Sequence, residues 1–289
     1  MILRKFKEFV IEKLILICGL ASIFFVILIF LFLTKEGLAV FKSVSPANFI
    51  LGKSWYPISE PAQLGILPLI LGTLMVTLGA AMISIPIGVA CAVYIAEIAP
   101  QKIKEVLKAG IELLAAIPSV VLGFIGMVTL VPWVKSTFHL PTGLTALSGS
   151  IILAFMAMPT IVSVAEDALY SVPKSYKEGA FALGATHWQT IYRVLLPAAS
   201  SGIVAAVMLG IGRVIGETMA VMMITGNAAV IPQSILVPVR TLTATIAAEM
   251  GEAVVGSEHY FALFAIGIVL FIMSFIINVT ADLFLHKRK

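Results

Sequence analysis

Long apolar stretches recur along the chain and determine its predicted architecture. A helix needs about 20 consecutive apolar residues to cross the hydrocarbon core of a membrane. Six stretches have this character: residues 14–33, 64–96, 113–134, 140–165, 202–225 and 261–281. The fifth is interrupted by two charged residues, and none of the six shows the alternation that is typical of membrane β-strands. We therefore predict an all-α integral membrane protein with six transmembrane helices.

Composition supports the same class of protein. Hydrophobic residues make up 60% of the 289 residues and charged residues only 12%, which is too few charges to cover the surface of a water-soluble enzyme of this length. The two cysteines, Cys18 and Cys91, fall inside apolar stretches. Their spacing fits neither a disulfide framework nor a metal cluster, so we interpret both as packing residues.

The distribution of basic residues predicts the orientation, because lysine and arginine in short loops stay on the cytoplasmic side. With the N-terminus inside, most basic residues lie in inner segments: Arg4, Lys5, Lys7, Lys13, Lys102, Lys104, Lys108, Lys174, Lys177, Arg193, Lys287, Arg288 and Lys289. Both termini are then cytoplasmic in a bacterial or archaeal inner membrane. This topology and anionic lipid explain the basic ends without a nucleic acid partner. We expect external partners at the outer loops, residues 34–63 and 226–260.

The inner connection between the fourth and fifth stretches contains a second signal, in residues 172–197. Small side chains cluster there, at Gly179, Ala180, Ala182, Gly184 and Ala185. Pro173 favours a helix start and Gly184 a helix end about two turns later. A short cytoplasmic helix with small side chains allows close approach by another protein, and we predict that this segment is a docking element.

The same segment resembles the coupling motif of ATP-binding-cassette importer permeases. The matching positions are Glu178, Gly179, Ala180, Gly184, Val194, Leu196 and Pro197. The sequence departs from the usual motif at Gly179, which is commonly alanine, and at Val194, which is often isoleucine. The resemblance implies that this helix docks in a cleft of a partner ATPase. It also implies that the partner ATPase binds and hydrolyses ATP, so that this chain is a permease without a cofactor of its own.

Further motifs resemble one branch of the family, the phosphate-specific importer. They are Gly72-Thr73-Leu74, Ser84-Ile85-Pro86-Ile87-Gly88, Ala115 to Val120, Arg213 to Thr218, and Thr241 to Ile246. The resemblance implies a type I importer permease (MetI-like) core in residues 64–286, preceded by an anchor helix and external loop in residues 1–63. It favours the C-type subunit and implies a second permease in a heterodimer, two copies of an ATPase subunit and an external phosphate-binding protein.

Arg213 and Glu217 are the candidate residues of the substrate path. A charge within a span is costly and normally faces a partner, a cavity or a pathway. Their four-residue spacing predicts one helical face, on which the two side chains reach each other. The guanidinium fork suits the paired oxygens of phosphate, and Glu217 would occupy Arg213 when phosphate is absent. A buried pair that only fixes helix packing is the alternative.

Other functions remain open at this point. The docking segment is equally compatible with a permease for molybdate, sulfate or an amino acid, or with the A-type phosphate subunit. A membrane scaffold or sensor that binds an ATPase without transport is an alternative from another class. The four histidines lack metal-ligand spacing, and the single intramembrane carboxylate offers no catalytic pair. We therefore predict neither a metal site nor a catalytic site.

Overall fold

The computed structural model describes residues 2–286 and is mostly helical. Its helices are α1 (Ile2–Gly37), α2 (Pro46–Leu51), α3 (Leu67–Val93), α4 (Gln101–Ala116), α5 (Ser119–Ile125), α6 (Val131–Thr137), α7 (Ala146–Tyr170), α8 (Lys174–Ala182), α9 (His187–Thr190), α10 (Leu196–Ala198), α11 (Ser200–Gly216), α12 (Met219–Ile224), α13 (Leu242–Glu249) and α14 (Glu258–His286). Strands β1 (Trp55–Tyr56) and β2 (Gln63–Leu64) form an antiparallel hairpin.

Short non-α turns extend several of these helices. A 3₁₀ turn, Leu38–Lys42, follows α1, and π-helical turns occupy Tyr94–Ile98, Gly126–Leu130 and Ile191–Leu195. The basic residues Lys287, Arg288 and Lys289, which were predicted to be cytoplasmic, lie outside the described residues, as do the side chains of Arg4, Lys5 and Lys7.

Within residues 2–286, five helical segments are long and apolar enough to cross a membrane: Phe9–Lys42, Leu67–Ile98, Ser119–Thr137, Ala146–Tyr170 and Glu258–Thr280. A sixth span results if His187–Ala198 and Ser200–Gly216, which meet at an angle of 71°, count as one. The fold agrees with six spans in this sense. The fourth span lies several residues further along the chain than the predicted 140–165.

The predicted third span, residues 113–134, has the wrong start. Helix α4 ends at Ala116, Ile117 is extended with ψ of 126°, and α5 begins only after Pro118. A residue before proline is driven out of the helical region by a clash with the proline ring. The helix is therefore broken at Pro118, whereas α3 continues through Pro86 without interruption.

The predicted fifth span, residues 202–225, is divided into two helices. Helix α11 ends at Gly216, Glu217 is extended with φ of −70° and ψ of 132°, and α12 begins at Met219. The Glu217 carboxylate accepts a hydrogen bond of 3.2 Å from the backbone N–H of Ala220. This bond satisfies a donor at the start of α12 that has no partner within the helix, so the break is locally compensated.

The core lies between α3 and α7, which make the most extensive helix–helix contact. A Cβ atom on Gly79 of α3 would lie only 2.4 Å from the Ser150 hydroxyl of α7. Ser150 in turn donates a 3.2 Å hydrogen bond to the carbonyl of Val76. Small residues at a helix interface allow such close approach within a membrane. Helices α11 and α12 complete this core against α7.

Helix α1 contacts the rest of the described chain mainly near its C-terminal end. Phe30 packs on Phe271 of α14 with ring centroids 4.9 Å apart, and Phe32 packs on Phe264 at 5.4 Å. Most of its earlier apolar side chains are exposed. An apolar helix surface of this kind is suited to lipid or to another membrane subunit.

Candidate substrate path and coupling segment

Arg213 lies in the last turn of α11, on a surface that this chain leaves open. Its side chain is exposed, and its Nη1 donates one long hydrogen bond, 3.4 Å, to the Thr160 hydroxyl of α7. A Cβ atom built on Gly212 or on Gly216 would meet no atom within 4 Å. The described part of this chain therefore packs no helix closely against these glycines, and the guanidinium retains most of its donors.

The expectation that Arg213 and Glu217 share one helical face is wrong, because the α-helix ends between them at Gly216. The ion pairs within 4.0 Å among the described residues do not include this pair. Glu217 instead caps α12 through its bond to Ala220. A four-residue spacing brings two side chains together only where the helix continues, and here it ends at Gly216.

The threonine run Thr241 to Ile246, within the second outer loop, packs directly on this helix break. Thr243 donates a 2.9 Å hydrogen bond to the backbone carbonyl of Glu217. At the start of α13, the Leu242 backbone N–H donates to the Thr73 hydroxyl of α3 at 3.0 Å. The sequence marked this run only through the family resemblance. Its contact with Glu217 joins residues 26 positions apart, and no local pattern predicts it.

The coupling segment has the local structure that its sequence predicts. Helix α8 starts immediately after Pro173 and ends at Ala182, and Gly184 has φ of +81°. Only glycine adopts this left-handed conformation at no steric cost. The chain then enters α9 through a capping box in which the Thr186 side chain accepts from the Gln189 N–H and the Gln189 side chain accepts in return.

Some residues of the motif are buried against the rest of the protein, and the others form an open surface. Ala180 is 8% exposed, whereas Glu178, Gly179, Gly184 and Pro197 are exposed, and Val194 and Leu196 are partly buried. Ile191 and Leu195 anchor the segment in a cluster with Val93 of α3 and Leu169 of α7. The buried side of the coupling segment therefore contacts the ends of two spans.

Large apolar side chains project from the open surface of this segment. Leu183 is 90% exposed, and Tyr192 and Trp188 are also exposed. Leu183 lies between α8 and α9, where an exposed apolar side chain is suited to a protein–protein contact. Trp188 and Tyr192 lie on His187–Ala198, which counts towards the sixth span, so their exposed rings are also suited to the membrane interface. The structure does not test the ATPase role of the individual motif residues, which stays a prediction.

A polar cluster lies at the predicted outer end of the protein and was not predicted from the sequence. Glu249, at the end of α13, accepts hydrogen bonds from Trp55 Nε1 at 3.0 and 3.2 Å, from Arg240 Nη1, and contacts His259 Nε2 at 2.9 Å. The Arg240 Nε also donates to the Asn227 carbonyl and side-chain oxygens at 3.1 and 2.9 Å. These groups line a cavity of about 890 Å³, and they join both outer loops to α14.

Comparison with known proteins assigns the class. The family of binding-protein-dependent transport system inner membrane components matches residues 84–289, and the chain belongs to this family. It is 42% identical over 94% of its length to the probable ABC transporter permease protein YqgH of Bacillus subtilis, covering 89% of that protein. It is 35% identical to the phosphate transport system permease protein PstC of Mesorhizobium japonicum, over 83% of this chain and 78% of that protein.

Solved structures show the same fold. The chain is similar to a chain of the MetNI methionine ABC transporter in an inward-facing conformation, with a TM-score of 0.63 and 22% identity over 80% of this chain and 100% of that chain. It is also similar to a chain of a bacterial ABC transporter involved in the import of alginate, with a TM-score of 0.65 and 18% identity over 98% and 99% of the two chains. At these identities the likeness establishes the fold alone.

Family and fold together confirm the predicted class. The chain is a multi-pass inner-membrane permease of an ABC importer, with the fold of the type I importer permeases. It is the permease component and not the ATPase, which is a separate subunit. Its family works with ABC subunits and with a substrate-binding protein.

Proposed function

We propose that this chain is a permease subunit of an ATP-driven importer of inorganic phosphate, of the C type. The observation that carries the proposal is Arg213, an exposed guanidinium beside a helix break within the membrane part of the fold. Relatives at 34–36% identity named phosphate transport system permease protein PstC support phosphate as the cargo.

The chemistry of Arg213 suits an oxyanion. A guanidinium presents several N–H donors in a planar fork that matches the paired oxygens of phosphate. Its bond to Thr160 is long, at 3.4 Å, so an arriving anion displaces little. An arginine that is held weakly binds an ion without a large cost of freeing the side chain, and it still lets the ion leave.

The open surface around Arg213 favours a second permease subunit. Gly212 and Gly216 flank Arg213 on α11, and neither would place a Cβ atom within 4 Å of this chain. We propose that a related permease packs against this surface, so that the path runs between the two subunits. A heterodimer places Arg213 at the centre of the complex rather than against lipid, where a charge is costly.

The energy for transport enters through residues 172–197. Two ATPase subunits would bind ATP, and each would dock on a coupling segment whose exposed side chains include Leu183 and Trp188. ATP binding favours the outward-open arrangement to the extent that ATPase contacts differ between the two states. Both termini are proposed to be cytoplasmic, and an external phosphate-binding protein delivers the ion to the outer loops. The division at residue 63 stays a prediction.

Transport by the complete complex in proteoliposomes tests this function. The complex of both permeases, the ATPase and the binding protein should accumulate labelled phosphate only with ATP. Excess arsenate, which has the same geometry and charge, should compete with phosphate, and sulfate or molybdate should not. Accumulation of sulfate, molybdate or an amino acid instead of phosphate would identify a different importer. A complex that binds ATPase but accumulates none of them would be a scaffold.

A further inference from the structure

An ion pair joins the coupling helix to the second span. Lys177, in the middle of α8, places its Nζ 2.5 Å from the Oε2 of Glu97. Glu97 lies in the π-helical turn Tyr94–Ile98 that ends the span. The side chains are 35% and 10% exposed, respectively. The two residues are 80 positions apart, and Lys177 does not belong to the motif that carries the family resemblance.

Apolar packing alone holds α8 only loosely. Ala180 is the one buried residue among the nine of this helix. Beside the ion pair lies a cavity of about 430 Å³, lined by residues that include Glu97, Leu169, Lys177 and Phe181. Residues 171–173 join α8 to the end of α7. With one buried residue next to such a space, α8 can still shift relative to the end of α3 unless a direct link prevents it.

The span that carries Glu97 is well placed to pass on a movement. It is continuous with α3, which makes the most extensive contact of the fold, with α7. Helix α7 in turn contacts α11, which carries Arg213. A displacement of α3 therefore reaches the helix that carries the candidate substrate residue through two packed interfaces, and packed interfaces transmit strain because they are close to incompressible.

We propose that Lys177 is a positioning residue for energy coupling, and that its ion pair with Glu97 transmits the movement of the ATPase-facing helix to the second span. Without this link, α8 follows the ATPase while α3 stays behind, so that ATP is hydrolysed without transport. The inference rests on the proposed function, because it requires that α8 contacts an ATPase and that the complex transports an ion.

The test is the number of ATP molecules hydrolysed for each phosphate accumulated by the complete complex in proteoliposomes. Lys177→Gln and Glu97→Gln should each raise this ratio at least about fivefold, the lower end of the range for coupling between two sites. The exchanged pair, Lys177→Glu with Glu97→Lys, should bring the ratio back towards wild type. Lys174→Gln is the matched control, because it removes a charge from an exposed position one turn earlier in α8 that is in none of the ion pairs of the described residues, and it should leave the ratio unchanged.

Copurification of the ATPase is measured for every variant. It distinguishes a variant that binds the ATPase but couples poorly from one that no longer binds it. If a single variant fails to assemble because one charge is left unpaired, the double variant Lys177→Gln with Glu97→Gln replaces it and should also show the raised ratio. Wild-type ratios in the single variants or in the double variant would overturn the inference. So would an equal effect of Lys174→Gln, or loss of assembly in every variant of the pair.

The wild-type complex reports separately on the proposed function. If it accumulates sulfate or molybdate and not phosphate, the phosphate assignment fails, and the ion-pair variants are then compared with that anion as cargo. If it accumulates phosphate and the variants match it, the coupling role of Lys177 fails while the proposed function stands.

Discussion

Along the chain, Arg213 precedes the helix break at Glu217 and Arg240 follows it. The two side chains differ in how strongly their surroundings hold them. The Arg240 side chain is 19% exposed, and it donates to Glu249 and to two oxygens of Asn227. Arg213 is exposed and makes one hydrogen bond of 3.4 Å. Arg240 is held by three acceptor atoms, and Arg213 is almost free.

The difference indicates which arginine binds an anion and which builds the structure. An anion at Arg240 must compete with a carboxylate that is already in place, and freeing the side chain would leave Glu249 without its charged partner. An anion at Arg213 competes only with a threonine hydroxyl. Hydrogen bonds to charged groups contribute about 1.5–3 kcal/mol each, so this competition decides between the two sites.

The largest expected effect is on transport, and it follows from removing the charge at Arg213. Arg213→Gln keeps some donors but removes the positive charge, and we expect ATP-dependent phosphate uptake to fall to the level of liposomes without the complex. The fold of this chain should be unchanged, because Arg213 has little contact with its own chain. Assembly should be retained as well, because Gly212 and Gly216, which flank the proposed contact surface, are still present. Copurification of the ATPase and of the second permease is the control. Uptake that survives in this variant would remove Arg213 from the path.

The second effect is on stability, and it concerns Arg240. Arg240→Gln leaves the Glu249 carboxylate without its charged partner, and we expect a loss of about 2 kcal/mol in the free energy of unfolding. The measurement is the thermal unfolding midpoint of the purified complex, with Arg213→Gln as the matched control. An equal loss in both variants, or no loss at Arg240, would contradict the division between a structural and a functional arginine.

The smallest effect concerns the helix break itself. Glu217→Ala removes the acceptor that caps α12 and should cost about 1 kcal/mol, with a moderate loss of uptake. Glu217→Gln retains a side-chain oxygen for the Ala220 N–H, so its stability and uptake should stay near wild type. Complete loss of uptake in Glu217→Gln, with stability retained, would show that the negative charge matters and not the cap.

Local rules explain what the sequence predicted correctly. Pro173 and Gly184 bound the coupling helix through restrictions on their own backbones. Hydropathy locates the spans because lipid selects apolar side chains over about 20 residues. These signals require only neighbouring residues, and for this reason they can be recognised in a single sequence.

Contacts between distant residues explain what was missed. The bond from Trp55 to Glu249 joins residues 194 positions apart, and no local pattern connects them. Residues 202–225 were also predicted as one span, interrupted only by two charged residues, although the backbone leaves the helix at Glu217. That break depends on the cap at Ala220 and on Thr243, which arrives from the second outer loop.

The most direct measurement for the role of Arg213 is the maximal rate of phosphate uptake per assembled complex in Arg213→Lys, beside the same substitution at Arg240. Lysine keeps the charge but loses the planar fork that matches two phosphate oxygens. We predict a maximal rate at least about tenfold below wild type for Arg213→Lys, the factor that 1.4 kcal/mol of lost stabilisation gives, and a smaller reduction for Arg240→Lys. A wild-type rate in Arg213→Lys, or equal rates in the two variants, would contradict direct recognition of phosphate by Arg213.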